Sequence, residues 1–410
     1  MEQREVDAPK SQVNVKEVSE KLLKARGKSL VVSSSNDVGI QQIVNEINRT
    51  LGNVGTTIRW ESNLMTHQGK EADLENLISR MHSGEVDALL MHDVNPAYTW
   101  HDPAEFIKGV EKVGLTVSLS HTPDETSQLA QYICPDNHYL ESWNDAQPKK
   151  FRYSLAQPVI NPIFNTRQFQ ETLLKWSGSD QNYYEFMNAV WAEHFMPLQT
   201  EHFSQEAFFD HTLQKGVFEP DIPSSDPETE GEELGATDSE IPSFDPSTLD
   251  IEAGSGEGVT EMVLYESVAL GSGKQANNPW LQELPDPVSK ICWENVAFVS
   301  PGQAGELDLT TGDVIRINDI EIPVAVQPGQ AYGTIGIALG YGRRICGVVG
   351  KDVGVDVWPH TSVKGGYARF WRVVEEIVPA GFQVQLALTQ THHSMEGRDQ
   401  VRESDLCSYT

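Results

Sequence analysis

Between residues 28 and 145 short apolar runs alternate with stretches whose apolar positions recur every three or four residues. Residues 29–33 (SLVVS) read as a β-branched strand, and Val38, Ile40, Ile43, Val44 and Ile47 then fall at helical spacing until LGNVG ends the helix. The alternation repeats: TTIRW (56–60) as a strand, EADLENLISRMHSG (71–84) as a helix, VDALLMHD (86–93) as a strand and DPAEFIKGVEKVG (102–114) as a helix. LTVSLSH (115–121) follows as a strand and DETSQLAQYI (124–133) as a helix. Strands joined by helices of this length imply right-handed crossovers and a parallel sheet. The pattern therefore predicts a doubly wound α/β domain over 28–215, after a leading segment, 1–27, in which VSEKLLKARG forms a short helix closed by Gly27.

From 168 to 215 the period is helical and aromatic-rich (FQETLLKWSG, NYYEFMNAVWAEHF), which predicts helices laid over the sheet. The character then changes. Residues 219–257 contain thirteen Asp or Glu and no Lys or Arg, with repeated Pro, Ser and Gly, so 216–260 reads as an acidic linker or insertion that cannot bury enough apolar surface to order itself. Beyond it the period shortens to two: TEMVLYESVAL, ENVAFVSP, GDVIRINDIEIPVAVQPG and YGTIGIALGYG. These runs, cut by Gly, Pro and Asp turns, predict a barrel-like β domain over 261–385, with Asn318 and Asp319 forming a hairpin turn. A polar stretch, 386–410, reads as an extended connector.

Composition narrows the function. Nine Trp, fourteen Phe and 39% hydrophobic residues in 410 provide for more than one core. A formal charge of −30 repels nucleic-acid phosphates and anionic lipid headgroups, so nucleic acid is excluded as a partner, whereas a basic protein would be attracted. Cys134, Cys292, Cys346 and Cys407 stand singly, without the spacing of a zinc, iron–sulfur or haem c site. Bridges or thiols would both fit. No run approaches the 18 apolar residues of a membrane span, and the polar start MEQREVDAPKSQ looks like an internal cut through a longer polypeptide.

Ligands of open α/β sheets bind at loops leaving the carboxyl ends of strands, here SSSND (33–37), HDVNPAY (92–98) and SHTPDET (120–126). SSSND lacks the GxGxxG spacing of a dinucleotide site. Thr122, Pro123, Asp124 and Glu125 read as a helix start, with the carboxylates on the positive end of the dipole. His92, Asp93, His101, His121 and His138 match no metal-ligand spacing, and Glu193-His194 and Glu201-His202 read as surface. With no GxSxG and no cysteine in an electropositive setting, the expectation is no catalytic residue and no metal ligand.

Two stretches nevertheless carry a resemblance. DALLMHDVNPAYTWHDPAEF with LTVSLSHTPDETSQLAQYICPDNHYLES resembles the third domain of the molybdopterin oxidoreductase family, with its G-x-NP loop and its ET-A-x-x-A-D-x-x-LP crossover. NNPWLQELPDPVSKICWENVAFVSPGQAGELDLTTGDVIRI with VQPGQAYGTIGIALGYG resembles that family's carboxyl-terminal dinucleotide-binding domain, a double-psi β-barrel. The departures are specific: His92, Asp93 and Val94 stand where the NP loop has glycine, AQYICP stands for ADVVLP, and the iron–sulfur domain and metal-ligand segment have no counterpart.

A scaffold of this kind without its metal machinery is similar to the amino-terminal half of the large B subunit of alternative complex III. That resemblance implies a non-catalytic domain on the periplasmic face of a quinol-oxidising respiratory complex, with no cofactor of its own. Its partners would be a ferredoxin-like iron–sulfur module, cytochrome c subunits and membrane subunits, which hold the iron–sulfur clusters and haem c. The alternative is a fragment of an active molybdopterin-dependent oxidoreductase. In that case Asn95, Pro96, Thr126, Gly340 and Gly342 would line a molybdopterin dinucleotide, by match to the family's loops.

Overall fold

The computed structural model describes residues 14–66, 68–220, 258–390 and 404–409, so the acidic run 221–257 lies outside the described residues. Helix α1 (Val15–Lys24) precedes α2 (Val38–Thr50), whose first turn is capped by the Asp37 carboxylate, which accepts from the Ile40 N–H at 3.0 Å. Helix α3 (Glu71–Ser83) stops at Gly84, whose positive φ ends the helix and turns the chain into β1 (Ala88–Met91). The one-turn α4 (Pro96–Thr99) and the Asp102-capped α5 (Pro103–Val110) lead to β2 (Leu115–Ser118), and β3 (Tyr132–Ile133) follows. The three strands form a parallel sheet in the order β1-β2-β3. Leu89 and Met91 alternate inward and pack on Ile78 and Met81 of α3 and on Phe106 and Val110 of α5.

Three expected elements take other forms. Residues 29–33 run extended but pair with no strand: the Asn48 side chain donates to the Val31 carbonyl and accepts from the Val31 N–H at 2.7 and 3.0 Å, taking the place of a neighbour. TTIRW is a turn, because the Asn53 carbonyl gathers the N–H groups of Thr56, Thr57 and Ile58. DETSQLAQYI is a 3₁₀ turn at Ser127–Leu129 followed by β3, since Asp124 closes on Ser127 and the Thr116 hydroxyl takes the Gln131 N–H. The described sheet therefore winds in one direction only.

A hairpin of β4 (Asn144–Lys149) and β5 (Arg152–Ala156) comes next. Helices α6 (Phe169–Trp176), α7 (Tyr183–Val190) and α8 (Gln205–Lys215) follow. Their aromatic faces do not cover the parallel sheet. Tyr183, Met187, Trp191, Phe208 and Phe209 instead form a separate core with Leu155 of β5, which gives the hairpin its buried face.

The second half begins with β6 (Thr260–Glu266), α9 (Pro279–Glu283), β7 (Ile291–Cys292), β8 (Ala297–Val299) and α10 (Pro301–Glu306). Strands β9 (Asp313–Ile317), β10 (Ile320–Val326), β11 (Thr334–Leu339), β12 (Ser362–Lys364) and β13 (Tyr367–Arg369) continue it. It ends with β14 (Trp371–Val374), β15 (Ile377–Gln383) and β16 (Ala387–Leu388), the last paired with β7. Asn318, at φ 54°, makes the two-residue turn between β9 and β10 that the pattern predicts. The main sheet has the order β14-β6-β11-β8-β10-β9-β15. A flat seven-stranded sheet would be roughly 29 Å wide, yet its two edge strands are joined by Glu375 and Glu376 alone, a reach of about 11 Å. The sheet must curl until its edges approach. Ile315, Ile317, Ile322, Ile335, Ile337 and Met262 fill the resulting interior.

Candidate functional site: the crevice between the two halves

The loops after β1 and β2 meet the loops of the β half across a crevice of about 620 Å³. From the α/β side it is lined by Asp93, Asn95, His121 and Asp124, and from the β side by Lys274, Asn278, Trp280, Arg343 and Cys346. This is where ligands of open parallel sheets sit.

The floor is a closed polar network. The Asn95 amide donates to Glu125 Oε2 at 2.8 Å, and its oxygen accepts from the Thr126 N–H and hydroxyl at 3.0 and 2.8 Å. Thr126 Oγ1 in turn takes the Ala97 N–H at 2.9 Å, the first free donor of α4 after Pro96. Glu125 meets Arg343 at 2.7–3.0 Å through Nε and Nη2, and also accepts the N–H groups of Arg344 and Ile345. The remaining Arg343 donors go to the carbonyls of Gly273 and Ile345. Burial alone would raise the Glu125 pKa. Hydrogen bonds from Arg343, Ile345 and Asn95 outweigh it and hold the carboxyl at about 2.

Tyr98 extends the same junction. Its ring enters the core of the β half beside Trp358, lies 4.8 Å from the Arg343 guanidinium carbon, and its hydroxyl donates to the Tyr341 carbonyl at 2.7 Å. At the rim, Asp93 adopts φ 51° and binds Lys274, with His121 Nδ1 at 3.6 Å. Burial opposes ionisation of Asp93, but His121 and Lys274 prevail and its pKa falls to about 2.

Of the residues implied as cofactor-lining, Asn95, Pro96 and Thr126 lie together at this junction, and Gly340 and Gly342 lie on its β side. The glycines make room for protein: a Cβ on Gly342 would stand 2.0 Å from the Asp356 nitrogen, and one on Gly340 would stand 2.7 Å from the Gly271 carbonyl oxygen. Both have positive φ. Glu125, read from sequence as a dipole partner of a helix, is instead the buried anion of the junction, while Asp124 does cap the following turn. The sequence reading missed Tyr98, Lys274 and Arg343. The basic pair after GYG was the visible signal, but nothing local names its partner 218 residues away.

The histidines serve separate contacts. His92 bonds Asp136 at 2.9 Å and stacks on Phe169 at 3.9 Å, His101 packs on Trp100, and His121 faces His138 at 6.3 Å. His202 is not at the surface in full: its Nε2 is buried and its ring lies 4.5 Å from that of His211. Among the described residues no three His, Cys, Asp or Glu are grouped to hold a metal ion, and no helix is long and apolar enough to cross a membrane. Cys134, Cys292 and Cys346 are thiols.

A phosphate-bearing pterin needs cations and N–H donors that are not otherwise engaged. Here Arg343 is neutralised by Glu125, Lys274 by Asp93, the Ala97 N–H is taken by Thr126, and Asp124 adds a further carboxylate. Both of these cations and this N–H are thus taken within the chain before such a group could bind.

No family model matches the sequence. The chain is 25% identical over 297 residues to the molybdopterin-containing subunit of thiosulfate reductase from Salmonella typhimurium, covering 63% of this chain and 38% of that protein. Over 115 residues it is 28% identical to the molybdopterin-binding-like subunit of menaquinone reductase from Nitratidesulfovibrio vulgaris, covering 26% of this chain and 17% of that one. Its fold is similar to that of acetylene hydratase from Pelobacter acetylenicus, with a TM-score of 0.51 at 15% identity over 74% of this chain and 46% of that one. The chain thus spans less than half the length of the proteins it matches. Both sequence matches are thus to molybdopterin-containing or molybdopterin-binding-like reductase subunits, and the structural match is a likeness of fold.

Proposed function

We propose that this chain is a non-catalytic scaffold of a quinol-oxidising respiratory complex of the alternative complex III type, on its periplasmic face. The observation that carries the reading is the Asn95–Glu125–Thr126–Arg343 network: Arg343, the buried cation beside the crevice, is spent on fastening one half of the chain to the other through Glu125, which Asn95 braces and Thr126 in turn holds. A relative described as a molybdopterin-binding-like subunit of a menaquinone reductase is in keeping with a retained shell inside a multi-subunit redox assembly. The chain then supplies geometry, holding a ferredoxin-like iron–sulfur module, cytochrome c subunits and membrane subunits in register, while their clusters and haems carry the electrons. The same reading takes the curled sheet, with its parallel pairs β6–β11 and β8–β10, as a double-psi barrel.

A second reading, part of an active molybdopterin enzyme, draws on the longer sequence match to the thiosulfate reductase subunit. Oxidative extraction of the purified assembly separates the two. The scaffold reading expects no fluorescent pterin from this chain, and a pterin at one or two per chain would reject it.

A further inference from the structure

The crevice has a charge balance of its own. Besides its imidazoles, four charged side chains line it: Asp93 and Asp124 from the α/β half, Lys274 and Arg343 from the β half. Lys274 is bound to Asp93 and Arg343 to Glu125, so each cation is matched by a carboxylate of the chain. Asp124 is left as the lining charge that no cation pairs among the described residues. Its Oδ1 accepts the Ser127 N–H at 2.6 Å, which fixes the side chain on the turn it caps, while its second oxygen takes no hydrogen bond among the described residues. From the opposite half Trp280 brings an indole ring that is 81% exposed, and no cation of the described residues lies over it.

A carboxylate and an aromatic face are the two parts with which this chain holds its own arginines. Arg343 has Glu125 at 2.7 Å and the Tyr98 ring at 4.8 Å, and Arg369 has Asp37 at 3.7 Å and the Trp371 ring at 5.4 Å. A guanidinium suits such a pair because it is planar, weakly hydrated and always charged, so it can stack on a ring while it bonds an anion. An anion entering the same space would meet the Asp124 charge, with both lining cations already taken. At about 620 Å³ the crevice falls within the roughly 300–1,000 Å³ of ligand pockets, which admits an arginine side chain with the backbone that carries it. Arginine is also the charged residue most favoured as a buried anchor between subunits.

We infer that the crevice is a binding site for a guanidinium group, supplied by an arginine of a neighbouring subunit, with Asp124 as its counter-ion and Trp280 as its stacking face. This rests on the scaffold reading proposed above. Isothermal titration calorimetry of the full chain at about pH 8, above the ordinary imidazole range, should show one saturable site for N-acetyl-arginine amide and none for the neutral N-acetyl-citrulline amide or for pyrophosphate. Asp124→Asn, which keeps an acceptor for Ser127, and Trp280→Leu, whose ring is already solvated, should each weaken that site at least about threefold and leave the melting temperature within a few degrees. In the native assembly, a photoreactive benzophenone side chain at Gln275, on the same lining, should join an arginine-bearing segment of another subunit. Pyrophosphate binding tighter than the arginine amide, equal binding of the citrulline amide, unaltered affinity in Asp124→Asn, or a Gln275 adduct confined to this chain overturns the inference. A pterin-free chain that binds no arginine amide overturns this site and leaves the scaffold reading standing. Pterin in a chain that still binds the arginine amide overturns the scaffold reading alone.

Discussion

Replacing Glu125 by Ala perturbs the junction at its centre. The Arg343 side chain is 6% exposed and that of Glu125 12%, so loss of the carboxylate leaves a guanidinium buried without its counter-charge. Breaking a buried pair from one side costs about 3–5 kcal/mol, far above the roughly 0.2–1 kcal/mol of an exposed pair. Arg343→Met should cost less, about 2–4 kcal/mol, because the carboxylate keeps Asn95 and the N–H groups of Arg344 and Ile345. The double variant removes both charges and should fall near the worse single one, giving a coupling of about 2–4 kcal/mol. Urea unfolding followed by tryptophan fluorescence and by circular dichroism measures all three. Lys21→Ala, which breaks an exposed pair with Glu17 (side chains 73% and 55% exposed), is the control and should change stability by less than about 0.5 kcal/mol. A loss under about 1 kcal/mol for Glu125→Ala, or single effects that simply add, would refute the reasoning.

Other outcomes follow from the same geometry. Tyr98→Phe removes the donor to the Tyr341 carbonyl and should cost about 1–3 kcal/mol by the same unfolding assay. Gly342→Ala forces a Cβ onto the Asp356 backbone at φ 71° and should cost at least about 2 kcal/mol, or leave the protein insoluble. Burial raises the Asp356 pKa from 3.8 to about 7, so the folded state holds a proton that the unfolded state releases. Stability should thus decline as pH rises from about 4 to 7, and Asp356→Asn should be more stable than the parent at pH 8 by at most about 4 kcal/mol, with no advantage at pH 4. Glu125 and Asp93 have the opposite sign: their folded pKa values of about 2 stabilise above pH 4.5 and 3.8, and that contribution should vanish in acid titrations approaching pH 2.

The sequence made some of this legible. Helices with a clear 3.6 period and a local stop, such as α3 with Gly84 or α5 with Asp102 and Pro103, lie where the pattern puts them, as does the turn at Asn318. The failures share a cause: a side chain supplied what a strand or helix neighbour would have. Asn48 satisfies Val31, Asn53 gathers the turn at 56–58, and Thr116 draws Gln131 into the start of β3. Such bonds reach across the chain and leave no period in it. The hairpin β4–β5 went unseen for a related reason, since β4 is polar throughout, β5 offers only Tyr153 and Leu155, and most of the core they join comes from the helical segment that follows. At the crevice, loop positions could be read from the strand ends. The fate of each polar group could not, because Asn95 and Arg343 are spent or free depending only on what stands opposite.

The central claim is that the cations of the crevice are bound by carboxylates of the protein in place of a cofactor. Molybdenum and tungsten analysis of the intact purified assembly, paired with quantitative pterin extraction, tests it most directly. Iron in excess with neither metal nor pterin is the predicted result, whereas molybdenum or tungsten with pterin at one or more equivalents per copy of this chain would contradict it.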